Sequence, residues 1–136
     1  MEGLYHGLPA IAVSEAPNSE NTGITAKFAA DLVDRYRRLG APSGTMISIN
    51  VPAGPLKGIA VRPMGDSYLQ TGSYEIVEQS GQSTDYESVR LIVNSENPTT
   101  DTYAYQQGYI SVTPLKFDWT DFEMLDEVES WNLQLD

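Results

Sequence analysis

Cysteine is absent from this chain of 136 residues, which excludes disulfides and thiolate metal sites. Histidine occurs once, as His6. There is no HExxH, P-loop, GxSxG or EF-hand pattern. Basic residues are scarce: 8 Lys plus Arg stand against 19 Asp plus Glu, a formal net charge of −11. Such a field repels polyanions, so direct nucleic-acid binding is not expected. Its plainest meaning is solubility, or adaptation to high salt. A phosphate-ester substrate would need a cation to offset it. No apolar run approaches the roughly 20 residues that span a bilayer, so no membrane partner is expected. Met1-Glu2-Gly3-Leu4 has neither a basic leader nor a long apolar stretch. A secretory signal is therefore not expected, and the location is expected to be cytoplasmic. Repeats and low-complexity tracts are also missing.

What remains is a hydrophobic content of 40%, enough for one domain with a real core. Leu8 to Ser14 reads as a short, buried strand opened by Pro9. After a Ser/Asn/Pro-rich loop, Ile24 to Leu39 reads as a helix. Ile24, Phe28, Leu32, Val33, Tyr36 and Leu39 fall on one face. Asn21 or Thr22 suits its start, Arg35, Arg37 and Arg38 suit its C-terminal dipole, and Gly40 suits its stop. Thr45 to Val51 is a second strand, and the three elements together predict a βαβ unit with a parallel sheet.

Beyond the Pro52 to Pro55 breaker cluster the character changes. Gly58 to Arg62 is a short strand. Ser73 to Gln79 and Tyr86 to Val93 read as hairpin arms around a polar turn, Ser80 to Asp85. A long two-stranded hairpin is marginal alone, so this one needs a partner surface. A helix over about Asp101 to Gln107 leads through Gly108, a left-handed stop, into the strand GYISVTPL. There Pro114 is expected to end the ladder, having no N–H to donate. Thr120-Asp121-Phe122-Glu123 has the form of a capping box for a last helix, about Asp121 to Trp131. Phe122, Leu125, Val128 and Trp131 are expected to face the core. The chain divides into stretches 1–56 (strand, helix, strand), 57–99 (β extension with hairpin) and 100–136 (helix, strand and final helix) of one domain.

Few residues point to chemistry. His6 is read as a loop residue rather than a general base. Asp31 and Asp34, and the acidic residues of the last helix, form solvated faces. Tyr103, Tyr105 and Tyr109 are packing residues. Asp101 heads its helix, as an N-cap or as the group that orders a site-facing loop. Ser14 ends its strand at the place where α/β sheets bind ligands.

Three stretches in order, GLPAIAVS (7–14), SINVPA (48–53) and TDTYAYQQGYISVTPL (100–115), resemble the survival-protein SurE family of metal-dependent nucleotidases and acid phosphatases. The resemblance implies a partial, C-terminal half of a Rossmann-type three-layer α/β core, with a protruding β-hairpin extension and a C-terminal helix. Asn50, Pro52, Gly108, Thr113 and Pro114 are its structural motif residues, and Ser14 and Asp101 would form a pocket wall. The family's Asp-Asp pair, Ser, Asn and Ser-Gly-Thr stretch have no counterpart here. Met1-Glu2-Gly3 matches the end of an Ala-Ala-Met-Glu-Gly sequence that follows them. Catalytic and metal residues are accordingly expected to be absent from this chain, and the chain alone is expected to be inactive. The family implies a divalent metal (Mg or Mn), nucleoside 5'- or 3'-monophosphates as substrates, and a homo-dimer or tetramer built through the 73–93 hairpin and the C-terminal segment. The other reading is a non-catalytic oligomerisation or interaction module of the same fold.

Overall fold

The alternation of Ile47, Ile49 and Val51 with Ser48 and Asn50 sends apolar and polar side chains to opposite faces of one strand, and the fold is built around that strand. The computed structural model describes residues 2–65, 69–117 and 122–131. In chain order these form α1 (Glu2–Tyr5), β1 (Ala10–Glu15), α2 (Thr22–Arg38), β2 (Thr45–Val51), β3 (Ile59–Val61), β4 (Leu69–Ser80), β5 (Ser83–Ile92), α3 (Asp101–Gln106), β6 (Ile110–Lys116) and α4 (Phe122–Ser130). The main sheet has the order β1-β2-β6-β3, and β4-β5 form a separate two-stranded sheet.

The βαβ expectation holds: β1 and β2 are parallel, with Val13 opposite Ile49 and Ser14 opposite Asn50. The sheet is nevertheless mixed. β6 runs antiparallel to β2 and parallel to β3, so β3, grouped by sequence with the 57–99 extension, lies in the main sheet. Pro114 does not end β6. It sits inside the strand opposite Ile47, and pairing continues to Lys116. The reason is local: β3 stops at Val61, opposite Val112. Beyond that point β6 has no described strand on that side, and a missing N–H there costs no ladder bond.

The core is one face of this sheet. Ile49, Val51, Ile110 and Val112 are buried together, with Phe28 and Leu32 of α2 packed against them. The stripe that α2 turns inward is Thr25, Phe28, Leu32 and Tyr36. Ile24, Val33 and Leu39, expected on the packed face, are exposed. They lie to either side of a stripe only one residue wide per turn. Gly40 does stop the helix, with φ +69°. β1, expected to be buried, is largely open, because it forms a sheet edge with a neighbour on one side only. Leu125 and Val128 of α4, and Trp131 just beyond it, are also exposed, because among the described residues α4 has no extensive packing against the sheet. Trp131 Nε1 instead donates to Glu127 Oε1 at 3.1 Å. The Thr120-Asp121 part of the capping box and the Phe122 side chain lie outside the described residues.

The hairpin is longer than its sequence signals. Ser80 pairs with Ser83, so the turn is only Gly81-Gln82. Gly81 takes φ +58°, as a two-residue turn with Gly at its first central position requires. Asn21 holds the N-cap position of α2, but its side chain does not cap the helix. Its buried amide donates to the carbonyls of Pro52 (3.0 Å) and Gly54 (2.9 Å), fixing the exit of β2. Asn21→Ala would orphan both carbonyls. It should lower the unfolding free energy by about 1–3 kcal/mol, measured by urea denaturation, whereas loss of an ordinary exposed loop residue should be near neutral.

Candidate functional site

Toward its Asn50 end the second face of the main sheet is made of small and polar side chains, with Met46 and Leu115 behind them. Register carries one polar rung straight across it: Ser14 of β1 lies opposite Asn50 of β2, Asn50 opposite Ser111 of β6, and Ser111 opposite Ala60 of β3. The rung behind it is Ala12, Ser48 and Thr113. Parallel β1 and β2 both end one residue beyond the first rung, at Glu15 and Val51, where the chain must turn away and open a crevice. Ala16 N–H still donates to Val51 O at 2.9 Å, which holds the mouth of the crevice closed along that edge.

α3 covers this face. Its N-cap is Thr100, whose hydroxyl accepts from Tyr103 N–H. Asp101 is therefore the first helical residue rather than the cap. Its carboxylate holds the neighbouring loop: Oδ1 accepts from Gly65 N–H and Thr102 N–H, both at 2.7 Å, and Oδ2 accepts from the Thr113 hydroxyl at 3.3 Å. Its own N–H donates to Pro63 O at 3.0 Å. Gly65 has to be glycine here, because a Cβ at that position would lie 2.5 Å from Thr100 Cβ. At the other end of α3, Gly108 takes φ +90°. Its carbonyl accepts from Lys57 N–H at 2.9 Å, joining β6 to the segment that precedes β3.

Between α3 and the polar rung is a cavity of about 230 Å³, lined by Ser14, Glu15, Asn50, Asp101, Tyr105 and Ser111 among others. Two of these, Ser14 and Asp101, are the residues that sequence reasoning named for a pocket wall, and the fold brings them into one cavity. Asn50 was named only as a structural motif residue. Ser111 was missed. Its hydroxyl is buried, at 1% exposure, and has no hydrogen-bond partner within the protein. Nothing in the local sequence distinguishes it from any other strand serine, since the β2–β6 register alone puts it beside Asn50. Pro52, Thr113 and Pro114 do not line the cavity.

The family model Survival protein SurE matches residues 1–71. The chain belongs to the SurE family. A 5'-nucleotidase SurE of Symbiobacterium thermophilum is 33% identical over 137 residues, covering 98% of this chain and 54% of that protein. One of Stutzerimonas stutzeri is 35% identical over 135 residues, covering 96% and 54%. The crystal structure of the SurE protein from Aquifex aeolicus superposes with a TM-score of 0.68 at 25% identity, over 97% of this chain and 55% of that one. The chain thus spans about half the length of the curated relatives it matches, and its fold is a partial SurE fold.

Within this SurE chain the donor set does not make a divalent-cation site. Glu15 and Asp101 are the carboxylates at the cavity, and no group of three or more His, Cys, Asp or Glu able to hold a metal occurs among the described residues. Asp101 is already engaged by two N–H groups and two hydroxyls. His6 bonds Glu2 Oε1 at 3.1 Å on the exposed α1 segment and does not line the cavity. No histidine stands among the described lining residues, and the Ser111 hydroxyl bonds neither carboxylate there, so no nucleophile–base pair is formed at Ser111. Asp31 pairs with Lys27 on the solvent side of α2. Asp101→Ala should cost about 2 kcal/mol of stability, because it orphans Gly65 N–H and the Thr113 hydroxyl. Asp101→Asn keeps one carbonyl oxygen in place and should cost less than half as much. Paired urea titrations check this, and equal losses would show that the loop clamp depends on the charge itself.

Proposed function

We propose that the chain is part of a metal-dependent phosphatase that hydrolyses nucleoside 5'- and 3'-monophosphates to nucleoside and phosphate. The reading is supported by relatives named 5'-nucleotidase across nearly the whole chain. The observation that carries it is the cavity where β1 and β2 end, with Ser14, Asn50 and Asp101 on its wall. In this reading the chain supplies one wall and the sheet beneath it. The divalent cation, Mg or Mn, finds no ligand set among the described residues, so no chemical step is assigned to it here and the chain alone is inactive. No helix among the described residues is long and apolar enough to cross a membrane, and we assign the protein to the cytoplasm. Its stretches 1–56, 57–99 and 100–136 make one domain, with the hairpin as its extension.

A chimera tests the reading. The corresponding half of the Symbiobacterium thermophilum relative is replaced by this chain and assayed on nucleoside monophosphates with Mg²⁺ or Mn²⁺. Hydrolysis by the chimera and none by the 136-residue chain is the expected result. A folded, inactive chimera would sink the phosphatase reading and favour the non-catalytic module.

We also propose that the hairpin seats a second copy of this chain. Its two faces differ sharply. The register puts Leu69, Tyr74, Ile76, Tyr86 and Ile92 on one face, with Arg90 as the only charged residue beside them. Glu75, Glu78, Asp85 and Glu87 share the other with Val89 and Leu91. Every residue of β4 is exposed, and an apolar face on a two-stranded sheet calls for cover. The chain should sediment as a dimer or tetramer. Ile76→Asp combined with Tyr86→Asp should shift it to monomer, as read by analytical ultracentrifugation. A concentration-independent monomer before mutation would contradict the proposal.

A further inference from the structure

The rung Ser14–Asn50–Ser111 calls for an occupant of definite chemistry. We infer that it is a subsite for an uncharged polyhydroxyl group, which under the nucleotidase reading is the pentose of the nucleotide rather than its phosphate. The inference rests on that reading for the identity of the sugar, and on geometry for the rest.

Three observations converge. The first is the cavity, about 230 Å³, somewhat below the size of common ligand pockets and suited to one small moiety. The second is its lining. Four hydroxyls (Ser14, Thr102, Tyr105 and Ser111), one primary amide and two carboxylates offer both donors and acceptors, while Lys and Arg are absent from the lining among the described residues. A phosphate dianion would meet Glu15 and Asp101 with no cation to offset them. A sugar hydroxyl can donate to a carboxylate or to the amide oxygen and accept from the amide N–H₂ or a serine. The third is Ser111 itself. A hydroxyl at 1% exposure with no protein partner is a cost in the free chain. The cost is removed when a ligand hydroxyl reaches it.

The rung spacing fits the same occupant. Neighbouring strands lie about 4.8 Å apart, so side chains on adjacent strands can address different hydroxyls of one sugar ring. Asp101 and Tyr105 on α3 close the cavity from above. The Thr113–Asp101–Gly65 bonds hold that cover at fixed height.

The test is ligand-observed saturation-transfer NMR on the 136-residue chain, which tolerates an oligomer. The probes are D-ribose, adenosine and inorganic phosphate. Ribose and adenosine should receive saturation at their sugar protons, and phosphate should not displace them. Ser111→Ala should weaken adenosine binding about fivefold to tenfold while leaving the melting temperature unchanged or higher, since it deletes an unsatisfied group. Ser14→Ala, at an exposed position, should weaken binding with no effect on folding, and it decides the matter if Ser111→Ala does not fold. Transfer to neither sugar, displacement by phosphate, or unchanged affinity in both variants would overturn the inference. An active chimera alongside any of those results would leave the nucleotidase reading standing without this subsite. An inactive chimera alongside ribose binding would leave a polyol subsite and remove the nucleotide.

Discussion

The pairing of β2 with β6 is the constraint on which the rest of this structure depends. Ile49 faces Val112 and Asn50 faces Ser111 in adjacent positions of one antiparallel ladder. Because side chains alternate, the first pair builds the core under α2 and the second builds the cavity under α3. A one-residue slip would exchange the two, putting serine and asparagine into the core and isoleucine into the crevice. Core and site are therefore specified by a single register, and the burial of Ile49 and Val51, both at 0% exposure, fixes the position of the polar rung. Burying those side chains stabilises the register by roughly 1.5–3 kcal/mol each.

This explains how much could be read from the sequence. Elements with a strong local period were legible: β2 appears at the expected bounds, α2 within two residues at its start, and the hairpin in its expected place. The stop at Gly108 was legible because a helix end with φ +90° selects glycine by local sterics. Long-range consequences were not. Pro114 looked like a strand end, and only the shortness of β3 makes it harmless. Ile24 and Val33 looked like core, yet which line of α2 meets the sheet depends on the sheet. Ser14 and Asp101 were named from their positions at element ends, and both line the cavity, whereas Ser111 has no such marker and needed the ladder.

The polar second face is not a weak imitation of the first. Its side chains are small, so α3 can sit close, with Ala104 buried. Close approach is what lets Asp101 reach Thr113 across the layer. A larger residue at either position would lift α3, release the Pro63–Gly65 loop and widen the cavity. Sheet register, α3 height and cavity size are thus one coupled quantity rather than three.

The hairpin follows a different logic. Glu75 lies directly opposite Glu87, and Glu78 opposite Asp85. Like charges in cross-strand pairs destabilise a ladder, and the main sheet does not pair with this one. Bulges at Thr71/Ser73 and Ile76/Glu78 add twist and cost further backbone bonds. A ribbon with these features gains little from the acidic pairs of that face, where only Val89 and Leu91 are large and apolar. Its stability has to come from the face that carries Tyr74, Ile76 and Tyr86, and that face can contribute only when something covers it. The acidic face then has a separate consequence. It repels a second ribbon approaching from that side, so association is directed to one face and open-ended stacking through the other is disfavoured.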